Sequence, residues 1–197
     1  MSAPDSTLAS QVPSVLTLAA GSADIVELAA LRERGQVVRA LAARRGMVLP
    51  LPGRVITAAG TLVLCVRPER WLLLTPPRSP GTAAAAWQAA SGGCGVAVDL
   101  SSAFAMLQLA GAEARPLLAR GCRIDLDPHV FPAGHAAATI IAQVAVMLAA
   151  VPGGMLLLTP ASTARHLREW LAAAARPFAL TPHADVSVAT LCGDSHS

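Results

Sequence analysis

The chain has 197 residues, of which 54% are hydrophobic and 14% charged, with a formal net charge of +3. That composition agrees with a compact soluble protein, and the length allows on the order of 70% of the unfolded surface to be buried, enough for one sizeable domain or two closely fused halves. All fifteen basic residues are arginines, scattered from Arg32 to Arg176, and three Trp and three Phe without Tyr make a poor base-stacking platform, so nucleic acid is not an expected partner.

Taken in chain order, Met1 to Pro13 is rich in small and polar residues and reads as a flexible tail, with neither a basic n-region nor a long apolar core. No secretory leader is expected, which favours the cytoplasm. Gln36 to Arg45 reads as a helix stopped by Gly46. Val63 to Pro76 follows as two apolar strands around a turn at Pro68, and a helix carrying Trp87 comes next. The aromatic body of Trp71 can cover a sheet. Gly92-Gly93-Cys94-Gly95 is a turn rather than a phosphate loop, since no Lys-Ser or Lys-Thr follows, and Gly95 to Leu100 is a further strand.

Phe104 to Leu109 alternates large apolar with small or polar side chains, the pattern of a half-buried strand. Gly111 then releases the chain into a helix over Ala112 to Arg120, with Glu113 in the first turn, Arg115 and Arg120 suited to later turns, and Gly121 as the C-terminal stop. At least one of Leu117 and Leu118 should face a sheet. Gly111 also resembles half of a dinucleotide fingerprint, but the other glycines are missing and Glu113 would repel a phosphate. Arg123 to Gly134 is a long loop fixed by prolines. Its Phe131 is either an anchor in a protein interface, with Asp125, Asp127 and His129 around it, or a lid on the core beneath.

The uncharged stretch Ala136 to Val151 is shorter than a ~20-residue membrane span and runs into Pro152-Gly153-Gly154, so it reads as buried strands. Val63 to Pro76 lies without a gap on Met147 to Pro160, with seven of fourteen positions identical. That match predicts an internal repeat, the second copy ending in a helix whose Leu167, Trp170 and Leu171 form a core-facing stripe. The resulting organisation is a flexible tail over 1–13, one α+β domain over 14–175 made of two similar halves (about 14–100 and 101–175), and a flexible tail over 176–197. Each half is expected to be ferredoxin-like, with helices on a mostly antiparallel sheet.

Candidate sites are few. Cys65, Cys94, Cys122 and Cys192 are widely spaced and read as thiols of a reducing compartment. His129, His135, Asp125 and Asp127 could be drawn as a metal cluster, but the prolines between them give no fixed ligand face. Asp99, Asp125 and Asp127 are the central carboxylates, and their strand-end and loop settings suit capping and turns better than proton transfer. No catalytic, cofactor-binding or metal-ligating residue is assigned.

The order Asp99-Leu100-Ser101, strand, Gly111-Ala112-x-Ala114-Arg115, Leu117-Leu118-Ala119-x-Gly121-Cys122-x-x-Asp125-Leu126-x-Pro128, Phe131-Pro132-x-Gly134 and Thr139 resembles the gamma subunits of heterotetrameric sarcosine oxidases. More remotely, it is similar to the N-terminal part of folate-binding aminomethyltransferases such as the glycine-cleavage T-protein. There the corresponding strand carries paired aspartates, whereas Ile141-Ala142-Gln143-Val144-Ala145-Val146 stands here. The resemblance implies an aminomethyltransferase-like folate-binding-domain fold and a non-catalytic gamma-type subunit without a cofactor of its own. Its implied partners are alpha, beta and delta subunits holding FAD, FMN, NAD and tetrahydrofolate, in a complex that oxidises sarcosine to glycine. Alternatives left open are a free-standing folate-binding aminomethyltransferase-like protein and a subunit of a related complex acting on another N-methyl amino acid.

Overall fold

The computed structural model describes residues 15–178, 180–182 and 185–192, so the tail expected over 1–13 lies outside the described residues. The first half of the chain runs β1 (Thr17–Ser22), β2 (Asp24–Ala30), α1 (Gly35–Ala43), β3 (Arg54–Ala58), β4 (Thr61–Arg67), β5 (Arg70–Thr75), α2 (Thr82–Ala90) and β6 (Gly95–Asp99). The second runs β7 (Phe104–Ala110), α3 (Ala114–Ala119), β8 (Ala136–Ile141), β9 (Val144–Val151), β10 (Gly154–Pro160) and α4 (Ala164–Ala174), then β11 (Thr181–Pro182), β12 (Val186–Ser187) and α5 (Val188–Leu191).

Two sheets result. The first is ordered β3-β4-β5-β2-β6 with antiparallel neighbours, which makes β2-α1-β4-β5-α2-β6 a ferredoxin-like unit with β3 added at one edge. The second is ordered β11-β1-β7-β10-β9-β8, with β12 also paired to β1. Here β1 lies antiparallel beside β7, the place that β6 takes beside β2 in the first sheet. The first 100 residues therefore do not stay within one sheet: their opening strand completes the sheet of the second half. The expected C-terminal tail also needs correction, because β11 and β12 pair parallel to β1, and Val188 and Leu191 of α5 are fully buried.

Successive residues of a strand face opposite sides, so the runs of leucine in β5 and β10 require cover on both faces. Leu62, Leu64, Leu72 and Leu74 meet Met106, Leu156 and Leu158 between the sheets, joined there by Val188 and Leu191. On the outer face of the first sheet, Val63, Cys65, Trp71 and Leu73 pack with Val38 and Ala42 of α1. On the outer face of the second, Leu107, Leu109, Met155 and Leu157 pack with Leu117 and Leu118 of α3 and with Leu167 and Leu171 of α4. The order is helix, sheet, sheet, helix. Burying each of these leucines contributes roughly 1.5–3 kcal/mol, so the paired sheets are the main source of cohesion.

The internal repeat is realised as hairpins β4–β5 and β9–β10, which turn at Pro68-Glu69 and Pro152-Gly153 with positive φ at Glu69 (59°) and Gly153 (79°). The helix expected over Ala112 to Arg120 is shorter, Ala114–Ala119, with Glu113 at its N-cap. Gly121 follows that helix for a reason other than the left-handed turn expected: a Cβ there would lie 2.4 Å from Trp170 Cζ2, so it lets α4 approach. At the open edge of the first sheet, the Gln88 side chain accepts from Ala97 N–H (2.9 Å) and donates to the Gly95 carbonyl (3.2 Å). That amide takes the place of a neighbouring strand's peptide group and blunts the edge.

Candidate functional site

The segment 123–134 leaves α3 and returns to β8, and its shape follows from short-range hydrogen bonds. Cys122 bridges to Ile141, and Arg123 N–H donates to the Ile140 carbonyl (3.3 Å), which holds the start of the loop on the second sheet. Asp125 Oδ1 then accepts Asp127 N–H (2.9 Å), and Asp127 Oδ1 accepts His129 N–H (2.8 Å), two successive side-chain-closed turns. At the far end, Gly134 N–H donates to the Ala150 carbonyl and the Gly134 carbonyl accepts from Val55 N–H, both at 2.9 Å. The loop therefore ends stitched to both sheets.

Arg115 fastens its middle. Placed at the start of α3, it sends Nη1 to the carbonyls of Leu126 (2.6 Å) and Phe131 (2.8 Å). Burial lowers the pKa of this guanidinium, and the nearby Asp127 charge opposes that shift. The helix-dipole role expected of Arg115 in a later turn does not hold, because α3 begins at Ala114 and sets Arg115 in its first turn. Sequence alone did not reveal the tie to the loop, because the acceptors are backbone carbonyls that carry no residue signature.

Phe131 resolves the two readings of the loop. It is 6% exposed, joins the core under α3 and α4, and meets the His135 ring edge-on at 5.8 Å between centroids. It closes the core and is not an exposed anchor, whereas its neighbour Val130 is 56% exposed. The two differ because the turns closed by Asp125 and Asp127 and the grip of Arg115 fix which side chain faces inward.

The remaining candidates are structural in their contacts. Asp99 Oδ1 accepts from the Ser101 hydroxyl (2.6 Å) and Ser101 N–H (2.9 Å), while Oδ2 accepts from Gly81 N–H (2.9 Å). These bonds, the Ser101 hydroxyl foremost, hold its carboxyl below the usual carboxylate range. Burial raises the Cys65 thiol, with the charge of Arg39 acting against it. Gly111 has φ 116°, and a Cβ on it would lie 2.6 Å from the Val15 carbonyl oxygen; the space its missing side chain opens is taken by the chain's own backbone and does not fit a phosphate. Among the described residues, no three His, Cys, Asp or Glu side chains are grouped to hold a metal ion.

Two hollows flank the loop. One of about 400 Å³ lies between the Pro152-Gly153 turn and the start of α3, bounded by Gly111, Ala112, Arg115, Pro128 and Ala133. The other, about 280 Å³, also borders Arg115 and Pro128 and is lined by Pro116, Asp125 and Asp127. A third, about 250 Å³, opens between the sheets beside Val66, Arg67, Phe104 and Met147. Near it the exposed Arg70 guanidinium pairs with Glu27. Together these features make a built, backbone-stitched surface around Arg115.

Residues 34–176 match the model of the sarcosine oxidase, gamma subunit family. Sarcosine oxidase subunit gamma of an Arthrobacter species is 39% identical over 111 residues, 55% of this chain and 54% of that protein. The chain thus matches about half the length of that relative. The corresponding subunit of Corynebacterium sp. (strain P-1) is 33% identical over 148 residues, 73% of this chain and 71% of that one. Among solved structures, heterotetrameric sarcosine oxidase from Corynebacterium sp. U-96, in complex with pyrrole 2-carboxylate, contains a chain similar at a TM-score of 0.73 and 30% identity, covering 88% of this chain and 91% of that one. Glycine cleavage system aminomethyltransferase T from Bartonella henselae matches at a TM-score of 0.64 and 14% identity, covering 87% of this chain and 48% of that one. This last likeness is one of fold.

Proposed function

The chain belongs to the sarcosine oxidase gamma subunit family, and from that membership we propose that it is a non-catalytic subunit of a heterotetrameric, flavin-dependent sarcosine oxidase. Its partners are alpha, beta and delta subunits. They hold FAD, FMN and NAD, and tetrahydrofolate accepts the one-carbon unit released when sarcosine becomes glycine. The complex works in the cytoplasm. Among the described residues no helix is long and apolar enough to cross a membrane, which is compatible with that location.

The observation that carries this reading is the match to a chain of a heterotetrameric oxidase over most of both lengths. The contacts of Asp99, Asp125 and Asp127 support a non-catalytic role, since each accepts backbone N–H groups and so serves the local fold. Co-expression with the neighbouring flavoprotein chains tests it. A tagged form of this chain should carry three further subunits through size exclusion, with flavin absorbance in the complex and none in the isolated chain. Elution of this chain alone from such a mixture, or stoichiometric flavin on the purified chain, would overturn the proposal.

A further inference from the structure

The two halves of the fold differ at one equivalent place. In the first, the β4–β5 turn sends the Glu69 side chain back to the start of α1, where Oε1 accepts Gly35 N–H at 3.1 Å. The fit is close: a Cβ on Gly35 would lie 2.4 Å from that oxygen. The Glu69 carbonyl also accepts Ala30 N–H (2.9 Å), which locks the turn onto the end of β2. A carboxylate belonging to the chain itself fills the space between hairpin turn and helix.

In the second half, the repeat sets Gly153 where Glu69 stands, on a turn of the same kind. With glycine there, the space between the turn and the start of α3 is the hollow of about 400 Å³. The adjoining helix contributes Arg115 at its second position, where α1 has Gln36, while the arginine that caps α1, Arg34, turns its guanidinium to Cys94 Sγ (3.6 Å). Arg115 Nη1 is held by two carbonyls, which orient the guanidinium without neutralising it. Among the described residues its ion partner is not a bonded one; Asp127 acts on it through its charge.

We propose that this hollow receives a carboxylate side chain, Glu or Asp, carried on a partner subunit and seated against Arg115 as Glu69 is seated in the first half. The inference rests on the subunit reading above and deepens it by naming the surface and the chemistry that recognises it. The surroundings favour a protein as the source. Val130 on the bounding loop is 56% exposed, and Val15, which approaches Gly111, is 51% exposed, so apolar surface borders a charged centre in the manner of a protein interface. The loop is already ordered by its own bonds, which lowers the cost of docking.

Substitutions at Gly153 test this in the co-expressed complex. A Cβ on Gly153 meets only Gln108 Nε2, at 3.8 Å, and Glu69 shows that a glutamate is accommodated at positive φ on such a turn. Gly153→Glu should place a carboxylate in the hollow from within, leaving the chain folded while weakening its association with the other subunits at least tenfold. Gly153→Gln carries the same bulk and turn strain without the charge, and should weaken association less than threefold. Asp127→Asn retains the acceptor for His129 N–H, removes the competing charge, and should tighten association about twofold. Equal weakening by Glu and Gln, or wild-type association in every variant, would overturn the proposal while leaving the subunit reading intact. Stabilisation of the isolated chain by millimolar succinate, lost in Gly153→Glu with assembly unchanged, would assign the hollow to a small ligand and overturn it as well. Failure of the wild-type chain to associate would instead overturn the subunit reading, and this inference with it.

Discussion

Replacing Phe131 by alanine removes a ring that is 6% exposed and packed beneath α3 and α4. Truncating a buried phenylalanine costs about 3–5 kcal/mol, through lost transfer energy and the cavity left behind. The edge-on contact with His135 at 5.8 Å places this site toward the upper part of that range, since such pairs add about 0.5–1.5 kcal/mol. Relaxation is limited because the Phe131 carbonyl is held by Arg115 and the loop is stitched to both sheets. With a urea m-value of about 2 kcal/mol/M, a loss of about 4 kcal/mol moves the unfolding midpoint down by about 2 M. Against a typical stability of about 5–15 kcal/mol the variant still folds in the absence of denaturant. Val130→Ala, one residue away and largely exposed, should change stability by less than about 0.5 kcal/mol. The assay is equilibrium urea denaturation of both variants followed by tryptophan fluorescence. A Phe131→Ala midpoint within about 0.25 M of wild type would refute the reasoning, because a ring that closes the core cannot be removed at so small a cost.

Three further outcomes are expected. Replacing both Leu117 and Leu118, each fully buried, with alanine should cost on the order of 4 kcal/mol or more and is checked by the same denaturation. Gln88→Ala uncovers Ala97 N–H and weakens the cover of the Gly95 carbonyl, so light scattering should show faster aggregation with stability lowered by about 1 kcal/mol. Asp99, whose folded-state carboxyl titrates lower than in the unfolded chain, stabilises the fold above the unfolded value of about 3.9 and loses that contribution as pH falls through the folded value. Asp99→Asn should therefore show a smaller drop in urea midpoint between pH 6 and pH 3 than wild type. An equal drop in both would remove Asp99 from the account.

Much of the architecture is legible because both local periodicity and repetition are written in residue type. Leu72-Leu73-Leu74 and Leu156-Leu157-Leu158 announce strands covered on both faces, and the shared Leu-Leu-Leu-Thr-Pro ending announces that the two hairpins are equivalent. The chain also declares its turns through Pro68 and Pro152, and the central aspartates as turn-formers, since such residues act on their nearest backbone neighbours.

Interactions between distant segments escaped that reading. Nothing in Thr17–Ser22 says that it joins the sheet of the other half, because a half-buried strand fits either edge and only pairing with β7 selects one. The C-terminal strands escaped notice for the same reason: two residues pairing with β1 have no periodicity of their own. Phe131 and Val130 are adjacent and both apolar, so their opposite fates depend on a loop conformation set by Arg115 and backbone carbonyls. The hollow beside Arg115 appears only when the turn and α3 are brought together, for it is defined by a glycine's missing side chain and by the distance between elements far apart in the chain. Residue types thus determined the strands, helices and turns through interactions a few positions long. Which strand completed which sheet, which side chain faced the core and where a charge met a space were decided by contacts between remote segments, whose free energy exists only once the chain has folded.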